Sequence, residues 1–407
     1  MSEAGKNSSA TDSASRIMMS SLRPPWTMRK DLSDAPVFVC WETTKACLLA
    51  CRHCRAKAIR KAVPGELSRS EGVKLIDQLL DFGQPYPALL LTGGDPLMRA
   101  DFFDLVEHAK KNGIYVAVAA SVTPKLNELT IAKMKEYGVD IISVSLDGAS
   151  PQTHDRLRGV KGTWKETIRA LRLAKQAGLR AQVNTTVMRS NIHELADIFH
   201  IVRETGSVAW EVFFLIRTGR GASLESLEAS ECEEVMRFLF DAAHYGLPVR
   251  TAEGPHFRRV RLERQNSKDL PSGELYRSLS ARLRTLEGNP TTAPSLKPTP
   301  TRDGKGILFV AHDGEVYPSG FLPLSTGRVP HESLAAIYRS NPLFVALRDS
   351  SNLKGRCGAC NYREICGGSR SRAFAELGDP FEEDPACSYV PQANPENPAL
   401  IGITGLS

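Results

Sequence analysis

The sequence predicts an α/β chain: a partial (β/α)6 barrel followed by a small cysteine-bearing C-terminal module. Three observations carry this. Between residue 36 and about residue 216, short apolar runs alternate with helical stretches. After about residue 250 that rhythm stops. Seven of the nine cysteines fall into two groups, one just after the first apolar run and one near the end of the chain.

The apolar runs are Val37–Trp41, Ala88–Thr92, Ile114–Ala119, Ile141–Leu146, Ala181–Val187 and Ala209–Ile216. They are rich in Val, Ile and Leu, and most are continuous, as in strands of a parallel sheet buried on both faces. Helices are predicted over Arg69–Asp81, Asp101–Lys111, Leu126–Tyr137, Thr163–Ala177 and Ile192–Thr205. Gly113, Gly138, Gly178 and Gly206 suit C-terminal caps for four of them. Six successive β-α units imply an open or partial barrel over residues 36–250. Chemistry in such folds sits at the C-terminal ends of the strands. Residues 251–305 read as a basic segment and linker: 256–267 are Arg-rich, and 288–303 repeat Pro and Thr. The module over 306–390 opens with a hairpin, Ile307–Ala311 and Glu315–Tyr317 around His312-Asp313-Gly314.

Composition sets the class. The chain has 407 residues, 42% apolar and 24% charged, with net charge +6. That is ordinary for a soluble protein, permits an anionic substrate and does not imply nucleic acid. No apolar run reaches the ~18 residues of a membrane span. Residues 1–35 form a polar leader, expected to be flexible, without the apolar stretch of a secretory signal, and 391–407 form a tail. A cytoplasmic location is expected, where thiols stay reduced and clustered cysteines point to metal. The isolated Cys40 and Cys232 read as small buried hydrophobes.

Cys47-x3-Cys51-x2-Cys54 follows the first strand. Three thiolates close on three corners of a four-iron cluster and leave the fourth iron open to a small molecule. A closed zinc site with His53 as fourth ligand is the alternative. Gly93-Gly94-Asp95-Pro96 follows the second strand, and Ser145-Leu146-Asp147-Gly148 ends the fourth. Together these motifs resemble the radical S-adenosylmethionine (SAM) superfamily. The resemblance implies a radical SAM barrel in which Cys47, Cys51 and Cys54 hold the reactive [4Fe–4S] cluster. SAM would bind the open iron and be cleaved reductively to a 5′-deoxyadenosyl radical, which takes hydrogen from a substrate. The backbone of Gly93–Pro96, Asp in place of the usual Glu, would meet the SAM amino group. Ser145, Asp147 and Asn184 would contact its ribose or carboxylate, and His53 would lie by the adenine. No side chain stands out as a general acid or base.

The second group, Cys357-x2-Cys360-x5-Cys366-x20-Cys387, supplies four thiolates, enough for a saturated [4Fe–4S] cluster or for zinc. It resembles the SPASM extension of radical SAM enzymes that modify peptides or tetrapyrroles. Ser319 follows Pro318 where the full module has a cysteine, and Arg370 stands four residues after Cys366 where another ligand is expected. One auxiliary cluster is therefore expected, two clusters in all. It would relay electrons, with positive charge in Gly367–Ala373 tuning its potential.

The text from Trp41 to Ala56, with Cys357–Cys387, resembles the alternative heme synthase and heme d1 maturation branch and an uncharacterised sister group, over about residues 36 to 390. Members of that branch remove or oxidise tetrapyrrole propionates. Arg217 and Arg220, just after the sixth strand, and Arg258 and Arg259, near Arg261 and Arg264, suit carboxylates. A solvated basic face is their plainer reading. His256 is a candidate axial ligand to a tetrapyrrole iron. Three readings remain open. The first is a tetrapyrrole-modifying enzyme; the second is a maturase acting on a precursor peptide. The third is a zinc-stabilised binding protein without catalysis. The enzyme readings imply a small anionic substrate or a precursor peptide, and an electron donor such as flavodoxin or ferredoxin. No nucleic acid or membrane partner is expected.

Overall fold

The computed structural model describes residues 31–266, 273–290, 292–293 and 301–391. Most of the expected leader and tail, and the Pro-rich stretch 294–300, lie outside the described residues. Strands β1 (Phe38–Glu42), β2 (Ala88–Thr92), β3 (Val116–Ala119), β4 (Ile141–Ser145), β5 (Ala181–Val187) and β6 (Ala209–Phe214) fall on the six predicted runs. Helices α1 (Arg69–Asp77), α2 (Phe102–Lys111), α3 (Glu128–Glu136), α4 (Pro151–Arg158), α5 (Thr163–Gln176) and α6 (Leu195–Glu204) lie between them. The sequence reading had assigned no helix at α4. Ser150 caps it by accepting the Thr153 N–H, with Pro151 in the first turn and the left-handed Gly159 at its end. Then come α7 (Ala229–Ala242) and β7 (Val249–Ala252).

β1 to β7 pair in parallel in chain order, as a partial barrel requires. The helix-facing side of the sheet is apolar: Val39, Trp41, Leu89, Leu91, Val118, Ile142, Val144, Val183, Trp210 and Val212 are buried in the main core. The other side is not sealed. Cys40, Ser143, Ser145, Asn184, Glu211 and Phe213 alternate with those core residues and are half-buried. Double-sided burial, expected from the continuous runs, therefore holds for one face only. Small and polar residues on the inner face leave a hollow, in which Ser145, Asn184 and Glu211 stand side by side in register.

Residues 251–305 are not a bare linker where they are described. They hold the end of β7, α8 (Phe257–Asn266), α9 (Glu274–Glu287) and β8 (Arg302–Asp303). The Arg-rich text misleads because its charges are paired internally: Arg259 with Glu233 and Glu263, and Arg264 with Asp241. Leu279 and Leu283 seat α9 in the main core.

The predicted hairpin forms from β9 (Gly306–Val310) and β10 (Val316–Tyr317), which pair antiparallel. β9 also pairs in parallel with β1, from Phe38↔Ile307 to Trp41↔Val310, so the C-terminal segment extends the barrel's own sheet. Helices α10 (Leu334–Ser340), α11 (Pro342–Arg348), α12 (Gly355–Ala359) and α13 (Arg370–Leu377) complete the chain. The first turn of α13 spans the open side of the barrel. The Arg372 guanidinium donates to the Glu253 carbonyl beyond β7 at 2.8 Å, and the Ser371 N–H donates to Asp303 on β8 at 2.8 Å. No helix among the described residues is long and apolar enough to cross a membrane.

Packing between α1 and β1 is tight. A Cβ at Gly72 would lie 2.6 Å from the buried Trp41 ring and 3.0 Å from Leu105. Alanine gains about 1 kcal/mol of helix propensity, but overpacking a core costs about 1–3 kcal/mol. Gly72→Ala is expected to lower stability in equilibrium denaturation; a more stable variant would contradict this packing.

Candidate active site

The loop after β1 carries the first cysteine group at the C-terminal end of the sheet. Cys47 and Cys51 are buried with Leu49 and Ala58, and Cys54 packs against them. Each sulfur faces a donor: the Leu49 N–H is 3.4 Å from Cys47 Sγ, Arg158 Nη1 is 3.5 Å from Cys51 Sγ, and the Ala58 N–H is 3.4 Å from Cys54 Sγ. Ser121 Oγ, beyond β3, lies 3.5 Å from Cys47 Sγ. Donors aimed at sulfur suit ligands that carry negative charge as thiolates. Three thiolates without a fourth fit the open [4Fe–4S] cluster, and His53, the fourth ligand of the zinc alternative, faces an acid through one ring nitrogen. Its Nε2 lies 3.5 Å from Asp147 Oδ2, and burial pushes its pKa down to about 4.

Several elements fasten this loop. The end of α4 docks on it: the Ala50 and Arg52 N–H groups donate to the Arg158 and Leu157 carbonyls at 3.2 and 2.8 Å. A Cβ at Gly159 would lie 2.5 Å from the Ala50 carbonyl, so only glycine fits there. The turn after β2 docks beside it, the Gly94 and Asp95 N–H groups donating to the Thr44 and Ala46 carbonyls, each at 2.7 Å. A Cβ at Gly94 would sit 2.3 Å from the Ala46 oxygen, and Gly93 has φ +146°. These contacts give the Gly-Gly pair a physical reason. The Asp95 carboxylate turns inward, accepting from the Thr123 hydroxyl at 2.9 Å and the Leu97 N–H at 3.3 Å, and burial pushes its pKa up to about 6.

Asp147, expected to contact SAM, is enclosed by protein groups. It is fully buried: Oδ1 accepts the Thr186 N–H at 2.8 Å, and Oδ2 faces Arg158 Nη2 at 2.5 Å. Burial pushes this carboxyl up, but Arg158, then His53 and His154, outweigh it and hold it below the ordinary range. Through Arg158 it supports the cysteine loop. Asn184 accepts from Gln182 at 2.8 Å, and Gln182 also donates to Glu211 at 2.6 Å, so this polar row does line the inner face.

The basic candidates are engaged by the protein. Arg220 donates from Nε to the Cys51 carbonyl and from Nη1 to the Ala58 carbonyl, both at 2.8 Å. It clamps the cysteine loop. Arg217 is exposed and donates to the Ala222 carbonyl at 3.3 Å. Arg258 donates to the Ile365 carbonyl at 3.1 Å, and Arg259 is buried against Glu233. His256 is 1% exposed and lies among the residues lining the pocket of the second cysteine group.

Sequence reasoning missed Arg158 and Arg55. The Ser150-Pro151 and Gly159 signals of α4 were the available pointer to the first. Arg55 faces Glu42 Oε1 at 2.9 Å and lies 4.6 Å from the Phe309 ring centroid and 5.8 Å from that of Phe321. Glu42 Oε2 lies 3.1 Å from His312 Nδ1, so this set ties β1 and the cysteine loop to the β9–β10 hairpin.

The second cysteine group lines one partly open pocket together with His256, Arg259 and Tyr389. The N–H groups of Asp384, Tyr362 and Gly368 lie 3.4, 3.3 and 3.5 Å from the sulfurs of Cys357, Cys360 and Cys366. Burial pushes the Cys366 and Cys387 thiols up to about 12 and about 11, so a bound metal is what would hold them as thiolates. Arg370 is fully buried and donates to the Pro380 and Glu382 carbonyls at 2.9 and 2.7 Å, while Ser319 is buried 3.4 Å from the Ser371 hydroxyl.

This arrangement of a partial parallel barrel with three loop cysteines at its C-terminal rim defines the class. Residues 41–202 match the radical SAM superfamily, and the chain belongs to it. It is 34% identical over 369 residues to the AdoMet-dependent heme synthase of Oleidesulfovibrio alaskensis, covering 90% of each chain. It is 31% identical over 361 residues to the AdoMet-dependent heme synthase of Methanosarcina barkeri, covering 88% of this chain and 98% of that one. The structure of Streptococcus suis SuiB bound to precursor peptide SuiA shares the fold, with TM-score 0.65 and 15% identity, covering 96% of this chain and 83% of that one. The protein is thus an enzyme that uses a [4Fe–4S] cluster and SAM, which sets aside the non-catalytic zinc reading.

Removing Arg158 leaves the Asp147 carboxylate buried without its cation, which costs about 3–5 kcal/mol. Arg158→Ala is expected to lose roughly that stability in denaturant titration and to bind less iron on reconstitution. Wild-type stability would contradict the role of this pair.

Proposed function

We propose that this enzyme modifies a tetrapyrrole, removing hydrogen from a propionate side chain and converting it by oxidative decarboxylation. The observation that carries this is the 34% identity to a heme synthase across 90% of both chains. That coverage extends well beyond the barrel over residues 36–250. The likeness to SuiB supports the fold alone, so a precursor peptide is the weaker reading.

Cys47, Cys51 and Cys54 would hold the [4Fe–4S] cluster, with the open iron left for SAM. Bound together, these cofactors supply a 5′-deoxyadenosyl radical for hydrogen abstraction. Arg158, Arg220 and Ser121 orient the cysteine loop. The backbone of Gly93–Pro96 presents the turn against it, and Ser145, Asn184 and Glu211 line the hollow where SAM and substrate would lie. Phe309 and Phe321, which pack by the half-buried, Glu42-paired Arg55, are rings suited to a flat macrocycle. Cys357, Cys360, Cys366 and Cys387 would hold one auxiliary cluster. Arg370 and Ser319, each enclosed by protein partners, argue against a second. A flavodoxin or ferredoxin would supply electrons, and a reducing cytoplasm would suit both thiol groups.

The test is anaerobic turnover of the reconstituted enzyme with SAM, a low-potential reductant and iron-coproporphyrin. 5′-Deoxyadenosine, carbon dioxide and a shifted porphyrin absorbance are expected together. SAM cleavage with an unchanged porphyrin would overturn the substrate assignment.

A further inference from the structure

His256 precedes α8 and is 1% exposed, yet neither of its ring nitrogens has a hydrogen-bond partner among the described residues. The nearest acidic oxygen, Asp384 Oδ2, is 3.9 Å from Nδ1. That oxygen already accepts the Ser369 N–H at 2.8 Å and faces Arg372 Nη1 at 3.3 Å. A buried polar group left unpaired costs about 1–3 kcal/mol, so a group with no partner in the protein points to one outside it. Every protonation state of the ring carries at least one N–H. The ring lines the same pocket as Cys357, Cys360, Cys366 and Cys387. The protein groups around it are accounted for: Glu233 pairs with Arg259, Asp384 pairs with Arg372, and Phe214 packs at a centroid distance of 6.1 Å.

We propose that His256 donates a ring N–H to a sulfur of the iron–sulfur group held in this pocket, and thereby raises its reduction potential. This rests on the auxiliary-cluster reading above. A donor to cluster sulfur offsets the extra negative charge of the reduced state, so reduction becomes easier. A group tuned in this way takes up electrons more readily than it gives them, as an oxidation that ends on the protein requires.

The test is a redox titration of the reconstituted full-length enzyme followed by electron paramagnetic resonance. The variants are His256→Leu, which removes the donor, and His256→Gln, which keeps an N–H. Iron per chain is counted in each, and in a variant with all four C-terminal cysteines changed to Ala. His256→Leu is expected to shift the reduction equilibrium of the C-terminal cluster about tenfold toward the oxidised form, ~59 mV for one electron. His256→Gln should return it toward wild type. An unchanged potential in His256→Leu overturns the proposal, as does an equal shift in both variants. Loss of the C-terminal iron from His256→Leu overturns it too, since His256 would then hold the pocket together instead. Unchanged iron in the four-cysteine variant defeats the auxiliary-cluster reading itself, a separate outcome.

Discussion

The buried pair between Asp147 and Arg158 is the constraint on which the site depends. A carboxylate with no exposure needs both a cation and hydrogen bonds, and Asp147 takes them from Arg158 and the Thr186 N–H. Arg158 also reaches Cys51, and the carbonyls at the end of α4 accept N–H groups from the loop between Cys47 and Cys54. One ion pair thus fixes the rim of the sheet, a helix end and a cysteine loop relative to one another. The Gly93-Gly94 turn and Arg220 hold the other flanks of that loop. Ligands placed this way are positioned by secondary structure rather than by a free loop.

The C-terminal segment is continuous with the barrel. β9 extends the sheet beside β1, while α13 crosses from β8 to the end of β7. The second cysteine pocket is therefore built against the barrel wall, with α8 supplying Arg259 and with His256 just ahead of it.

The strands were legible because runs of Val, Ile and Leu bounded by turns and helices have few alternatives to a parallel sheet. The cysteines were legible because their spacing is chemistry in itself. What escaped was partnership. The arginines of 256–264 read as a basic segment, since nothing in a local window shows that Glu233 and Asp241 meet them. The acceptors of Arg220, the Cys51 and Ala58 carbonyls, lie more than 160 residues away in sequence. Nothing local shows that Asp147 meets Arg158, and α4 went unassigned because polar residues fill its short run between Pro151 and Arg158. Half-open strands looked doubly buried because alanine, cysteine and serine on the inner face do not interrupt an apolar pattern.

The most direct test of the account is the iron and sulfide content of the anaerobically reconstituted chain, beside a Cys47→Ala/Cys51→Ala/Cys54→Ala variant. Two four-iron clusters held independently give roughly eight iron per chain, falling to roughly four in the variant. Zinc in place of iron, or about twelve iron in the unaltered chain, would contradict it.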